Sequence, residues 1–280
     1  MPLAFWRLAL ERLPPAVHVH CTGGEPLCYR QAPALLAAAA ARGSYSLVTN
    51  GLGLTESICT ALGRRPPTNV TVSLHGVAHV HDLITGVPGS HGRTVAGLER
   101  LLRHLPREAV SVNYTLLADN AGCLPEVVSF LAGLGVASLV VQGFDASVRR
   151  AGAVAGLPVG AGEPEERVDW MAARPILARL PEMAGAAMRV HLPVGWQGQF
   201  APGGPLPAGP WTCDDLATTM RCGPEGEVYA CDGRRLGSLE RRSWQEIWLG
   251  VDASDFRRQR VGPSCAGCCK LRHAAESEAA

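Results

Sequence analysis

The sequence predicts an α/β fold, a partial (β/α)6 barrel of TIM-like winding, followed by a small Cys-rich C-terminal domain. Three observations carry that expectation. Strand-like apolar runs at residues 17–20, 46–50, 70–75, 110–117, 137–143 and 188–194 alternate with helix-like stretches, the pattern of βα units on a parallel sheet. Several of those runs end in polar residues and glycine, as expected where ligands gather at the carboxyl ends of strands. Of the ten cysteines, Cys213, Cys222, Cys231, Cys265, Cys268 and Cys269 cluster after a Gly- and Pro-rich connector between Pro193 and Trp211. The implied boundaries are 1–195 for the barrel, 196–212 for the linker and 213–280 for the C-terminal domain.

Taken in order, Leu3 to Leu13 is interrupted by Arg7, Glu11 and Arg12, too short and too charged for a membrane span and unlike a secretory leader. It reads as an amphipathic surface helix of a cytoplasmic protein. Val17-His18-Val19-His20 alternates as a short strand does, and Thr22-Gly23-Gly24-Glu25-Pro26 follows with backbone that can turn sharply and approach a ligand. Pro33 and the run Ala34 to Ala41 open a helix that Gly43 closes. Leu47-Val48-Thr49-Asn50-Gly51 and Val70-Thr71-Val72-Ser73-Leu74-His75-Gly76 are the next two strands with polar tips.

In residues 92–105, Val95, Leu98, Leu101, Leu102 and Leu105 share one helical face, ended by Pro106. Leu124, Val127, Val128, Leu131 and Leu134 form a second such face, closed by Gly135. Residues 151–164 lack periodicity and are expected to form a surface excursion over the site. Pro175 and Pro181 should kink or split the helix pattern at 165–183. With 280 residues, 47% apolar, net charge +1 and pI near 7.6, the chain can bury a sizeable core. It shows no basic excess that would argue for nucleic acid, and neither nucleic acid nor membrane is expected as a partner.

The loop Gly23-Gly24-Glu25-Pro26, the Thr49-Asn50-Gly51 tip and the Ser73-Leu74-His75-Gly76 tip, in that order, resemble the radical S-adenosylmethionine (SAM) superfamily. The resemblance implies that Gly23, Gly24, Glu25 and Pro26 lie along the methionyl end of SAM. It places Ser73 near the ribose or carboxylate, with Thr49 and Asn50 as further contacts.

The late cysteines read as metal ligands, since thiols clustered in a cytosolic chain stay reduced. Cys222 to Cys231 spans a turn at Pro224 to Gly226 and should form a small hairpin that brings two thiolates together; Cys265-Ala-Gly-Cys268 lets two sulfurs face one metal. Four thiolates from two loops suit zinc or an iron-sulfur cluster alike. The tail also resembles the SPASM or twitch extension of radical SAM enzymes, through Gly226, Cys231, Leu236-Gly237-Ser238-Leu239, Ser243 to Trp248 and the terminal Cys-x-x-Cys. That likeness implies an auxiliary [4Fe-4S] cluster, one rather than two, drawn from Cys213 or Cys222, Cys231 and two of Cys265, Cys268 and Cys269. It further implies a peptide or protein substrate and an electron donor. Trp244, Ile247 and Trp248 are read as a packed helix.

The family's catalytic cluster is held by Cys-x-x-x-Cys-x-x-Cys after the first strand, and no such motif precedes Gly23. Two explanations are weighed. One is a start downstream of the true one, so that the first strand and cluster loop are missing and residues 17–20 form an unpaired edge. A 280-residue form of that kind should be poorly soluble or unable to use SAM. The other is a degenerate member acting as a metal- or peptide-binding module. Cys21, Cys28, Cys59 and Cys123 are read as small buried hydrophobes. His79-Val-His81-Asp82 is read as part of a strand-to-helix loop, with Asp82 capping a turn, and Glu126, Asp145 and Asp169 as solvated.

Overall fold

The computed structural model describes residues 1–143, 169–192, 211–213, 218–231, 233–258 and 272–273. The expected cover at 151–164, Asp145 and the thiols of Cys265, Cys268 and Cys269 lie outside them. Six strands form one all-parallel sheet in strict chain order: β1 (Val19–Cys21), β2 (Tyr45–Thr49), β3 (Asn69–Ser73), β4 (Val110–Leu116), β5 (Ser138–Gly143) and β6 (Arg189–His191). An order that never reverses is barrel winding, as expected, and not the doubly wound arrangement.

The helices have local causes. Pro33 begins the first turn of α2 (Ala32–Arg42), and Thr55 caps α3 (Glu56–Arg64) by accepting the Ile58 N–H at 3.4 Å. His79 to Asp82 lie in a short helix, α4 (Ala78–Thr85), where a loop was expected. The cap reading of Asp82 holds: its carboxylate accepts from Gly89 N, His91 N and Ser90 Oγ at 2.5, 2.8 and 3.0 Å and starts α5 (Ser90–His104). Helix α6 (Leu124–Leu134) ends at Gly135 in the left-handed region, φ +88°. Asp169, expected to be merely solvated, caps α7 (Trp170–Ala184) through the N–H groups of Met171 and Ala172. That helix runs unbroken through Pro175 and Pro181, against the expected split. The buried row Ala173, Leu177, Leu180 and Ala184 holds it despite two missing donors.

The two faces of the sheet differ. Val70, Val72, Leu74, Val110, Val112, Tyr114, Leu116, Leu139 and Val141 are at most 1% exposed, on the helix-covered side. Alternating with them, Asn69, Thr71, Ser73, Asn113, Thr115, Ser138 and Gln142 are half-buried on the other. Parallel strands covered on both faces read as continuous apolar runs. One polar face instead marks the inner wall of an open barrel.

The described residues form two compact units: Pro14 onward through β6, and Met1–Leu13 together with those from Trp211 on. In the second, β8 (Arg221–Cys222), β9 (Glu227–Tyr229) and β10 (Arg235–Ser238) form an antiparallel sheet, and β7 (Trp211–Thr212) pairs with β11 (Arg272–His273). Its core is Val228, Ala230, Leu236, Ile247, Ala253 and Phe256, closed by α8 (Trp244–Trp248) and α9 (Val251–Arg258). Helix α1 (Leu3–Glu11) belongs to this unit: Trp244 Nε1 donates to the Ala9 carbonyl at 2.8 Å, and the amino terminus donates to Pro224 O at 3.0 Å.

Candidate functional site

The loop after β1 is fastened to the tip of β2 by one carboxylate. Glu25 Oε1 accepts from Thr49 Oγ1 at 2.7 Å and from Leu27 N at 3.0 Å, while Oε2 accepts from Asn50 N at 2.5 Å. Each bond is charge-assisted and shares the cost of removing a carboxylate from water. Thr49 Oγ1 in turn accepts the Gly51 N–H at 3.1 Å, and Asn50 O accepts from Thr94 Oγ1 of α5 at 2.8 Å. Gly97 lets α5 come this close, since a Cβ there would stand 2.4 Å from Gly51 O.

The structure therefore brings Glu25, Thr49 and Asn50 together, as the sequence order suggested. It spends their polar groups largely on one another. What stays open is the glycine backbone. Gly23 adopts φ +129°, and no heavy atom lies within 4 Å of where a Cβ would project from Gly23 or Gly24. That cradle fits a group that must approach main-chain atoms closely, as the methionyl end of SAM would.

Strand register places the next polar groups. On the inner face Ser73 pairs with Asn113, Asn113 with Val140, and Val140 with His191; one step further toward the carboxyl ends, Thr115 pairs with Gln142. Deeper in the sheet the polar residues satisfy each other. Asn69 Oδ1 accepts from Thr71 Oγ1 at 2.8 Å and Ser111 Oγ at 2.9 Å, and the two hydroxyls lie 3.0 Å apart. At the tips, among the described residues, the side chains of Ser73, Asn113, Gln142 and His191 have no hydrogen-bond partner. Half-buried amides and hydroxyls without partners are what a ligand-binding rim leaves for its ligand.

The sequence reading missed Asn113, Gln142 and His191. The signal was present in β4, where Ser111, Asn113 and Thr115 recur at every second residue of an otherwise apolar strand.

His75 stands at the same rim. Its Nδ1 accepts from Thr115 N at 3.1 Å, while the His75 backbone N–H donates to His81 Nδ1 at 3.0 Å; the rings stack at 5.9 Å and 24°. Burial, reinforced for His75 by His81 and for His81 by His91, pushes both imidazoles down to about 4, so both are neutral at pH 7. Asn120 Nδ2 closes the corner by donating to His75 O and Thr115 O. This cluster fixes the β3 tip.

Among the remaining thiols, Cys59 is buried, and Cys21 and Cys123 are half-buried; burial pushes Cys21 and Cys59 up to about 11, fitting core thiols. Cys28 is exposed, against the expectation of burial.

In the second unit the expected hairpin forms, with Gly226 N donating to Gly223 O at 3.0 Å. Its register sets Cys222 opposite Val228 and not opposite Cys231. Cys231 lies beyond Tyr229, the last residue of β9, in a turn where Gly233 N donates to Ala230 O at 3.1 Å, so the ladder does not set the two thiols side by side, against expectation. Cys213, Cys222 and Cys231 are half-buried thiols, a soft donor type that suits iron-sulfur ligation, and the described residues alone gather no three such groups into one metal site. Burial and Glu227 push the Cys222 thiol up to about 12.

Two family profiles match: the Radical SAM superfamily over residues 5–131, and an iron-sulfur cluster-binding domain, SPASM, over residues 213–269. The PqqA peptide cyclase of Rhizobium meliloti (strain 1021) is 35% identical over 82 residues, 29% of this chain and 22% of that protein. Streptococcus suis SuiB, solved bound to its precursor peptide SuiA, has the same fold at 14% identity and TM-score 0.69, over 93% of this chain and 61% of SuiB. The structure of anSMEcpe with bound AdoMet aligns at 16% identity and TM-score 0.61, over 90% of this chain and 72% of that one. The chain thus spans about three fifths of SuiB and about a fifth of the cyclase.

Proposed function

Because the chain belongs to the radical SAM superfamily and ends in an iron-sulfur cluster-binding domain, we propose that it takes part in SAM-dependent radical modification of a peptide or protein. One observation carries the reading: at the carboxyl ends of β1 to β5, open glycine backbone stands in the same rim as hydroxyl and amide groups that have no protein partner among the described residues. The radical chemistry would be supplied by SAM at a [4Fe-4S] cluster, for which this sequence contains no Cys-x-x-x-Cys-x-x-Cys set of ligands.

This chain's own residues bind and orient. The Gly23 and Gly24 main chain, followed by Pro26, receives the methionyl end. Ser73 and Asn113 meet the ribose or carboxylate, and Glu25, Thr49 and Asn50 hold the loop in register. In the C-terminal unit Cys213 or Cys222, Cys231 and two of Cys265, Cys268 and Cys269 would supply the four thiolates for one auxiliary [4Fe-4S] cluster. A reductant delivers the electrons, and the peptide substrates in the names of the relatives support a peptide here.

The test is anaerobic reconstitution with iron and sulfide, metal and sulfide counting, and calorimetric titration with SAM. Iron and acid-labile sulfide in equal amounts, with saturable SAM binding, are expected. Zinc alone, or no SAM binding, would sink the proposal.

A further inference from the structure

The charge on the inner face is one-sided. From β2 to β5 its described residues are uncharged: Ser46, Val48, Asn69, Thr71, Ser73, Ser111, Asn113, Thr115, Ser138, Val140 and Gln142 alternate inward by register. At β6 the same alternation presents Arg189, paired with Ser138, and His191, paired with Val140. Both are exposed, and between them Val190 turns to the opposite face beside buried Leu139.

Among the described residues the face carries no carboxylate, and Arg189 has no ion-pair partner. His191 shares a cross-strand rung with Asn113 and Ser73, level with the rim groups that await a ligand, and Arg189 lies one pleat deeper, on the rung of Ser138, Ser111 and Thr71. A guanidinium and an imidazole one pleat apart, without an internal counter-ion, match an anionic group on whatever extends along the rim.

We infer that the β6 end of the inner face selects a peptide substrate by a carboxylate side chain, with Arg189 and His191 as the specificity-determining residues. This rests on the reading of the chain as acting on peptides. The carboxylate would pair with the Arg189 guanidinium and accept from an imidazole N–H of His191, leaving the uncharged rungs to the SAM and to the peptide main chain.

The experiment uses the full chain and two fluorescein-labelled peptides of equal length, one alternating Gly and Glu, the other Gly and Gln, followed by fluorescence anisotropy at 50 and 300 mM salt. At low salt the Glu peptide should bind about tenfold more tightly than the Gln peptide, a margin of about 1.4 kcal/mol, and lose much of it at high salt. In the Arg189→Gln/His191→Gln protein that margin should vanish while the unfolding midpoint stays within a degree or two, because both side chains are exposed. Equal affinity for the two peptides, no binding of either, or a Glu preference that survives the double substitution overturns the inference. SAM titration on the same preparations keeps the outcomes apart: SAM binding without discrimination between the peptides removes the carboxylate inference alone, and failure to bind SAM removes the reading beneath it.

Discussion

The two faces of the parallel sheet carry the same backbone and opposite chemistry. On the helix side, Leu47, Val70, Val72, Leu74, Val112 and Leu116 have no exposed surface. On the inner side, residues one position away are half-buried polar groups, hydrogen-bonded to each other deep in the sheet and unpartnered toward its carboxyl end. The difference teaches that close apolar packing and unpartnered polar groups are separated by a single residue of alternation. The apolar face holds the strands in place, and the inner face can therefore leave donors and acceptors unsatisfied.

The largest expected effect breaks the apolar face. Leu116→Ala should cost about 2–5 kcal/mol, through lost burial and the cavity left behind. Chemical denaturation should read it as a lower midpoint at unchanged slope. A loss under about 1 kcal/mol would mean that this face is not the stabilising one.

Next comes the strap between the loop after β1 and the tip of β2. Glu25→Ala removes the acceptor of three hydrogen bonds and leaves Thr49 Oγ1 and the Leu27 and Asn50 N–H groups to find others. A loss of roughly 2–3 kcal/mol is expected, with weakened SAM binding. Thr49→Val should reproduce part of it, because it deletes one of the three donors. If Glu25→Ala left stability untouched while abolishing SAM binding, the carboxylate would be a direct ligand and the strap reading would fail.

The strands were legible because alternation and glycine tips are local signals, and five of the six observed strands fall within about two residues of the runs read from sequence; the last, β6, is shorter, Arg189–His191 against 188–194. The tip residues Thr49, Asn50 and Ser73 were legible for the same reason. Gln142, followed by Gly143, carried the same local tip signal and was overlooked; Asn113 showed only as one of three alternating polar residues, and its alignment with Ser73 and His191 was hidden because strand register is a long-range property. The role of Glu25 was half visible: its position was plain, but its partners lie 24 and 25 residues away along the chain. Helix α1 was recognised as amphipathic, yet the partner of its apolar face, near Trp244, is 235 residues distant. The helix at Trp170–Ala184 shows burial overriding two prolines.

A smaller effect sharpens the comparison by pH. His75 and His81 are neutral in the fold and pushed down to about 4, against 6.5 when unperturbed. Between those values the unfolded chain binds more protons than the folded one. Stability is therefore full above about pH 6.5 and falls as pH drops toward 4. Asp82, held below its usual value by the His91 N–H first, titrates beneath that window. Denaturation midpoints at pH 7.0, 6.0 and 5.0 should decline in order. His81→Gln should flatten the decline; an unchanged slope would mean that the stacked pair does not report on the fold.

The smallest expected change in stability tests the inner face itself. Asn113 sits between Ser73 and Val140, half-buried, with an amide that no described side chain engages. Truncating a group that stabilises nothing should cost little, so Asn113→Ala is expected to shift the free energy of unfolding by less than about 0.5 kcal/mol. If the amide is kept for a ligand, the same substitution should weaken SAM binding by about tenfold, the worth of one good hydrogen bond to a polar ligand. The pair of measurements separates what a single one cannot. Lost stability with intact binding would place Asn113 among the groups that hold the sheet together. Intact stability with lost binding would show that the polar rim is left unsatisfied for a ligand, one residue away from the side chains that keep the fold.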